Sequence, residues 1–167
     1  KVKVHNLRDF ARNKHNKVDD KPYGGGPGMA LQIEPIAAAF KKILKGKSKK
    51  ETLVVLMSVG GKELSGKFAR SVASKYKDVV ILAGRDEGFD ERTRAVVSKG
   101  LGYKVQEVSI GPYVLTGGEL PALIFIASVG RYIKGVLGKE ESLEENRYGA
   151  GLPVYTRPEI FEYEGKE

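Results

Sequence analysis

Three apolar strands, each followed by a glycine-containing loop, constrain this chain more than any other feature of its sequence. Residues 52–57 (TLVVLM) and 79–83 (VVILA) are apolar almost throughout, and residues 104–110 form a third segment of strand type. Strands that are apolar on both faces are typical of parallel sheets covered by helices on both sides. Helical patterns alternate with them, at residues 33–44, 63–75, 90–98 and 120–132. The sequence therefore predicts an α/β fold.

Composition narrows the class of protein. The 167 residues fit one domain, and the absence of cysteine excludes a disulfide framework and a thiol nucleophile. No apolar run reaches the roughly 18 residues that a membrane span needs, so we expect no membrane association and a reducing, cytoplasmic location. The net charge of +8 favours an anionic partner such as nucleic acid. A strand-like segment at residues 2–4 begins so abruptly that we expect an earlier strand to be missing.

The glycine-containing loops after Met57, Ala83 and Ile110 predict a ligand site. In open α/β sheets ligands bind beyond the carboxyl ends of the strands, and glycine lets the backbone approach a ligand closely. Any one of these loops alone is better explained as a tight turn, and it is the three loops together that predict the site. The sequence has neither a Walker lysine nor a dinucleotide-binding glycine motif after a strand, which favours a ligand held mainly by backbone groups.

The N-terminal segment combines basic residues with glycine. Arg8 and Lys21, together with three further basic residues between them, flank the loop YGGGPGM at residues 23–29. Basic groups neutralise phosphates, and exposed glycine backbone allows a base or ribose to approach, so the segment is a candidate RNA contact. A solvated loop is the alternative. His5 and His15 have no serine and aspartate companions, so a catalytic triad is not expected.

Five separated blocks of this sequence resemble the bacterial tRNA (guanine-N1)-methyltransferase family, and they occur in the family's order. They are HNLRDFA with VDDKPYGGGPGM (residues 5–11 and 18–29), GRDEGFDER (84–92), IGPYVLTGGELPA (110–122), GVLG (135–138) and YTRPE (155–159). The resemblance covers nearly the whole chain.

The resemblance implies a SPOUT-type fold, in which a parallel sheet flanked by helices carries a C-terminal trefoil knot. It also implies a homodimer that uses S-adenosylmethionine to methylate N1 of the guanine at position 37 of tRNA, beside the anticodon. On this basis residues 1–138 are expected to form the cofactor-binding domain including the knot, and residues 139–152 a mobile acidic and glycine-containing linker. Residues 153–167 would begin a C-terminal segment whose tRNA-gripping helical domain is absent.

The same resemblance assigns site residues. The implied cofactor-lining residues are Leu56, Met57, Ser58, Gly84, Asp86, Glu87, Ile110, Gly111, Pro112, Tyr113, Val114, Leu115, Gly117 and Gly118. Gly25 and Gly26 correspond to positions that approach the target guanine, and Arg131 to an arginine that stabilises charge on that base. Family members are also helped by magnesium, to which Glu87 is the implied contributor.

The sequence departs from the family pattern at the expected general base. Asn146 occupies the position of the usual catalytic aspartate, and an amide cannot accept the guanine proton. Glu144 or Glu145 could supply the base from a shifted register. In addition, Asp86 replaces a usual tyrosine and Pro112 a usual aspartate. An alternative function is therefore a non-catalytic RNA- or cofactor-binding module that keeps the fold but has lost its base.

Overall fold

The structure is a computed structural model, which describes residues 1–137, 143, 149 and 151–164. The chain divides into two compact units, Lys1–Ile133 and Lys134–Glu167. The first unit contains all the helices and strands described below, whereas the described part of the second forms no helix or regular strand. The boundary expected at residue 138, and most of the linker expected at 139–152, lie outside the described residues. None of the described helices is long and apolar enough to cross a membrane.

The N-terminal segment contains a 3-10 turn at Leu7–Phe10 and a short hairpin. In the hairpin β1 (Asp19–Asp20) pairs antiparallel with β2 (Ala30–Leu31), and Gln32 donates its backbone N–H to Val18 O at 2.8 Å. The hairpin therefore holds the two ends of the glycine-rich loop together. The strand suggested at residues 2–4 does not form.

A three-stranded parallel sheet forms the centre of the first unit. β3 (Thr52–Glu63) lies between β4 (Asp78–Leu82) and β5 (Lys104–Ser109). Both neighbours run parallel to β3, with Thr52 opposite Asp78 and Leu53 opposite Lys104. The α/β class and the parallel sheet predicted from the apolar strands are confirmed.

Four helices cover this sheet on its two faces. They are α1 (Ile33–Ile43), α2 (Gly66–Lys75), α3 (Arg92–Ala95), which continues as a π-helical turn at Val96–Gly100, and α4 (Glu119–Gly130). The sequence interpretation began α2 at residue 63, which is wrong. The helix begins later because Ser65 is its N-cap and accepts a hydrogen bond from Phe68 N at 3.2 Å.

The side chains of β3 alternate between two hydrophobic cores. Leu53, Val55 and Met57 pack in a cluster with residues of α2 and α4, including Phe125. Val54 and Leu56 point to the opposite face and pack in a cluster with residues of α1, the π-helical turn and Tyr103. Because successive strand residues face opposite sides, a strand buried on both faces must be apolar throughout. This explains the TLVVLM run.

The end of β3 leaves its ladder with β5 and then rejoins it. Met57 and Lys62 both pair with Val108, so residues 58–61 form a large bulge that projects from the ladder. Gly61 brings the chain back, and a Cβ atom there would lie 2.5 Å from Val108 N and 2.6 Å from the Glu107 carbonyl carbon. Glycine is needed at this position because backbone atoms occupy the side-chain space.

We predict that Gly61→Ala lowers the free energy of unfolding by about 1–3 kcal/mol, the usual range for overpacking. Neither β3 nor β5 can move away without breaking the ladder between them. The matched control is Gly60→Ala in the same bulge, where the nearest atom would be Ser58 Oγ at 4.0 Å. Urea unfolding of both variants is the measurement, and equal losses of stability would contradict the role given to Gly61.

Candidate functional site

A cleft of about 370 Å³ opens at the carboxyl edge of the parallel sheet. The bulge of β3, the loop after β4 and the loop after β5 form its walls, and Pro121 of α4 closes one side. This volume lies in the range of small-molecule pockets. The three glycine-containing loops singled out in the sequence thus meet at one place.

Twelve of the fourteen residues expected to line a cofactor site border this cleft. They are Met57, Ser58, Gly84, Asp86, Glu87, Ile110, Gly111, Tyr113, Val114, Leu115, Gly117 and Gly118. The other two do not border it: Leu56 is fully buried in the core beneath α1, and Pro112 is exposed in the β5 loop. The alternation of side chains along β3 explains why Met57 reaches the cleft region while Leu56 faces away.

The loops after β4 and β5 are in direct backbone contact. Gly118 donates its N–H to Gly84 O at 2.7 Å, and Arg85 forms a bridge with Gly117. A Cβ atom on Gly118 would lie 2.7 Å from Gly84 N and 2.8 Å from Ala83 Cα. A residue other than glycine at position 118 would therefore push the two walls of the cleft apart.

The cleft is acidic, although the chain as a whole is basic. Among the described lining residues four are acidic, Asp86, Glu87, Glu91 and Glu107, and one is basic, Arg85. The Glu107 carboxylate also lies 3.6 Å from the Arg94 guanidinium, which partly neutralises it. Gly60 and Gly88 also border it, and within the described part of the chain nothing lies within 4 Å of the Cβ position at Gly88. An acidic cavity with open backbone favours a ligand that carries positive charge.

Sequence reasoning missed several of the residues that line the cleft. These are Val59, Gly60, Gly88, Phe89, Glu91, Glu107, Val108, Ser109 and Pro121. Most of them directly follow or precede predicted residues. Their position in the same loops could therefore have identified them from the sequence. Ser109 also orders the β5 loop, because its hydroxyl donates to Gly111 O at 2.9 Å.

The loop after β4 also holds the glycine-rich loop of the N-terminal segment. Glu87 donates its backbone N–H to Met29 O at 3.0 Å, and Leu31 donates to Gly88 O at 3.0 Å. The Glu87 carboxylate occupies the space beside Gly28 that a side chain would need. Residue 87 thus connects the cleft to the glycine-rich loop.

The glycines of that loop are open to solvent. Gly24, Gly25 and Gly26 have φ values of +93°, +94° and +133°, with no atom near their Cβ positions. Positive φ values at three successive positions favour glycine, because glycine has no Cβ atom to clash with the backbone in this conformation. The exposed backbone is therefore free to contact a partner.

The basic residues predicted beside this loop are exposed. Arg8 donates from Nη1 to Asn16 O at 3.3 Å, and Lys21 is exposed next to the loop. The backbone N–H of Lys21, followed by the side chain of Lys17, lowers the pKa of the Asp20 carboxyl. None of these residues borders the cleft.

The adjacent acidic residues Asp90 and Glu91 have different roles. The Arg92 guanidinium bonds to Asp90, with Nη2 to Oδ2 at 2.5 Å, and this pairing lowers the pKa of Asp90. A carboxyl with a depressed pKa contributes stability above its ordinary pKa and loses it as the pH falls through the lower, folded-state value. Asp90 therefore remains charged at neutral pH as a structural ion pair, while Glu91 borders the cleft.

The predicted catalytic arginine does not border the cleft of its own chain. Arg131 directly follows α4 and is half-buried. Glu144, Glu145 and Asn146 lie outside the described residues.

Within the described part of the chain, no group of three or more histidine, aspartate or glutamate side chains is placed to hold a metal ion. Glu87 borders the cleft, as stated above, but without two such companions.

Known proteins match this chain along nearly its whole length. The family model described as tRNA (Guanine-1)-methyltransferase TrmD matches residues 1–166. A tRNA (guanine-N(1)-)-methyltransferase of Dehalococcoides mccartyi (strain BAV1) is 43% identical over 164 residues, which cover 96% of this chain and 63% of the relative. That of Clostridioides difficile (strain 630) is 43% identical over 96% of this chain and 68% of the relative. That of Synechococcus sp. (strain RCC307) is 45% identical over 161 residues, which cover 95% of this chain and 64% of the relative.

The chain thus spans about two thirds of the length of these relatives. The match of the family model is nearly complete over the residues of this chain, and it includes the three loops that form the cleft and the glycine-rich loop beside it. From these matches, the chain belongs to the tRNA (guanine-1)-methyltransferase TrmD family.

Proposed function

We propose that this chain transfers the methyl group of S-adenosylmethionine to N1 of the guanine at position 37 of tRNA. Family membership supports the reaction, and the acidic, glycine-walled cleft is the structural observation that carries it. The alternative of a non-catalytic module is not favoured, since the curated relatives are named as methyltransferases.

The cleft residues fit S-adenosylmethionine. Its sulfonium and amino groups are cationic, and four acidic residues border the cleft, of which Glu107 is paired with Arg94. Its adenine is flat and largely apolar, and Ile110, Val114 and Leu115 supply apolar surface in the β5 loop. When bound, the sulfonium supplies an electrophilic methyl group that leaves without its bonding electron pair.

The roles of the protein residues follow from the chemistry of guanine. N1 carries a proton and becomes a good nucleophile only when that proton is removed. We propose that the open backbone at Gly25 and Gly26 approaches the base, with Arg8 and Lys21 contacting phosphates beside it. Arg131 would stabilise the negative charge that develops on O6, the role of a preorganised cation in a transition state.

We further propose that two copies of the chain form each site. Arg131 is not among the residues that border the cleft of its own chain, which supports a contribution from a second copy. Helix α4 also has apolar side chains on its exposed side, with Leu120, Leu123 and Ile124 between 47% and 62% exposed. A partner chain would cover this surface in a homodimer.

The finer architecture belongs to the same proposal. We infer a trefoil knot of the SPOUT type, which the tight backbone crossing of Gly117 and Gly118 against the β4 loop supports. Residues 1–138 would be the knotted cofactor domain, residues 139–152 a linker and residues 153–167 the start of a C-terminal segment. Action on tRNA supports a cytoplasmic location. Glu87 would be one ligand of a magnesium ion, and the substrates would supply its other ligands.

The general base is proposed to be Glu144 or Glu145, because Asn146 replaces the usual aspartate. We predict that the double substitution Glu144→Gln with Glu145→Gln lowers the rate of methyl transfer by about 10²–10⁴-fold, the usual contribution of general acid–base catalysis. Single-turnover rates with saturating cofactor are the measurement. A double variant with the full rate would exclude both residues, and Asn146→Asp, expected to be at least as active as the parent chain, is the control.

The experiment that tests the function is methyl transfer to tRNA with the product mapped by mass spectrometry. We expect a methyl group on N1 of guanine 37 of an unmodified transcript and none on a transcript with adenine at that position. Incorporation at a ribose, or at another base, would overturn the assignment.

A further inference from the structure

The edge of the sheet opposite the cleft, where the strands begin, carries most of the net positive charge of the chain. Three segments precede the strands there, residues 45–51, 75–78 and 99–104. Together they contain eight lysines and only two acidic residues, a net charge of +6 against +8 for the whole chain. This concentration is unrelated to the cleft, which is acidic.

Pairing within the sheet brings the three segments side by side. The register of the strands places Thr52 opposite Asp78 and Leu53 opposite Lys104. The backbone N–H groups of Lys77 and Asp78 donate to Glu51 O at 2.9 and 3.1 Å. Because neighbouring strands lie about 4.8 Å apart, the segments form one continuous surface.

Tyr103 fixes the longest of these segments. Its buried hydroxyl lies 2.8 Å from Leu44 O and 2.9 Å from Lys47 O, and it donates its proton to these carbonyls. The ammonium group of Lys49 lies 5.9 Å from the centre of the same ring. The loop is therefore held in place before any partner arrives, which reduces the entropy cost of binding.

Only two of the eight lysines are paired with carboxylates in the described structure. Lys47 pairs with Asp78 at 2.5 Å, and Lys77 pairs with Glu51 at 2.6 Å. The remaining lysines have no carboxylate partner among the described residues, and all are exposed: Lys45, Lys49, Lys50, Lys75, Lys99 and Lys104. We refer to these six residues as the lysine edge. Their mutual repulsion would be relieved by a polyanion.

We propose that the lysine edge binds the phosphate backbone of double-stranded RNA, at a site separate from the cleft. Double-stranded RNA is recognised mainly by its shape and by phosphate and 2′-hydroxyl contacts, which exposed lysines can supply without reading bases. An anionic membrane is disfavoured, because the large apolar side chains that are exposed in the described structure all lie outside these three segments. Surface membrane binding normally adds apolar insertion to charge.

The test uses the whole chain and a blunt 16-base-pair RNA duplex without unpaired guanine, so that the substrate proposed for the cleft is absent. Fluorescence anisotropy at several salt concentrations gives the slope of log K against log salt. The double variant Lys45→Gln with Lys50→Gln removes two charges whose side chains make no ion pair in the described structure. Two lost phosphate contacts reduce the magnitude of the slope by about 1.4–1.8.

The matched control is Lys62→Gln with Lys67→Gln, which removes the same charge at the carboxyl edge, where both lysines are exposed. It leaves the slope unchanged, and thermal unfolding confirms that both double variants keep the fold. Equal losses of slope in the two variants would overturn the proposal in favour of a diffuse charge effect. So would failure of the parent chain to bind the duplex, or binding to phosphatidylserine vesicles but not to RNA. Because the duplex offers no methylation target, none of these outcomes depends on methyl transfer.

Discussion

Replacement of Arg131 by alanine is expected to lower the rate of methyl transfer by about 10²–10³-fold, the usual loss when one preorganised donor to a developing negative charge is removed. The affinity for S-adenosylmethionine should not change, because the role proposed for Arg131 is to stabilise charge on guanine O6 and not to contact the cofactor. Single-turnover methylation of tRNA and calorimetric titration with the cofactor measure the two quantities separately. Arg131→Lys keeps the charge but not the planar fork, and we expect an intermediate rate.

Mixed dimers test where Arg131 acts. A chain with Arg131→Ala keeps its cleft, and a chain with Gly118→Ala keeps its arginine. If the arginine of one copy serves the cleft of the other, random pairing of the two impaired variants restores about a quarter of the parent activity at a cofactor concentration too low to saturate Gly118→Ala, since half of the dimers contain one complete site. No recovery from dimers shown to be mixed would contradict a site shared between copies.

Gly118→Ala is expected to weaken S-adenosylmethionine binding at least tenfold, which corresponds to about 1.4 kcal/mol. The new Cβ atom would lie 2.7 Å from Gly84 N and 2.8 Å from Ala83 Cα, where no flexible side chain can move aside. The β4 and β5 loops must separate, and the hydrogen bond from Gly118 N to Gly84 O is lost or lengthened. Calorimetric titration of the folded variant is the measurement.

The control for this substitution is Gly100→Ala. Gly100 ends the π-helical turn, and no atom lies within 4 Å of its Cβ position. Cofactor affinity of this variant should equal that of the parent chain. If Gly118→Ala bound the cofactor as tightly as Gly100→Ala, the two loops would not form the binding site.

The sheet could be predicted because the burial of β3 on both faces determines which residues its sequence contains. A strand covered on both faces must be apolar at successive positions, as Leu53 to Leu56 are, and few other structures need this pattern. The glycine loops were predictable for a similar reason. Parallel strands present their carboxyl ends at one edge, so the loops after Met57 and Ala83 had to meet.

Other features depend on contacts that no local pattern encodes. The need for glycine at position 118 comes from the backbone of residues 83–84, far away in sequence. The attachment of the glycine-rich loop through Glu87 and Met29 is likewise a long-range contact. The start of α2 was misplaced because the β3 bulge extends the strand through Glu63, beyond the apolar run that marked it.

The most direct test of this account is calorimetric titration of the chain with S-adenosylmethionine, with its mass in solution measured on the same sample. The account predicts a dimer that binds the cofactor saturably, one molecule per chain, with weaker binding after Gly118→Ala. A well-folded dimer that releases no heat and shows no binding by equilibrium dialysis would contradict the assignment of the cleft.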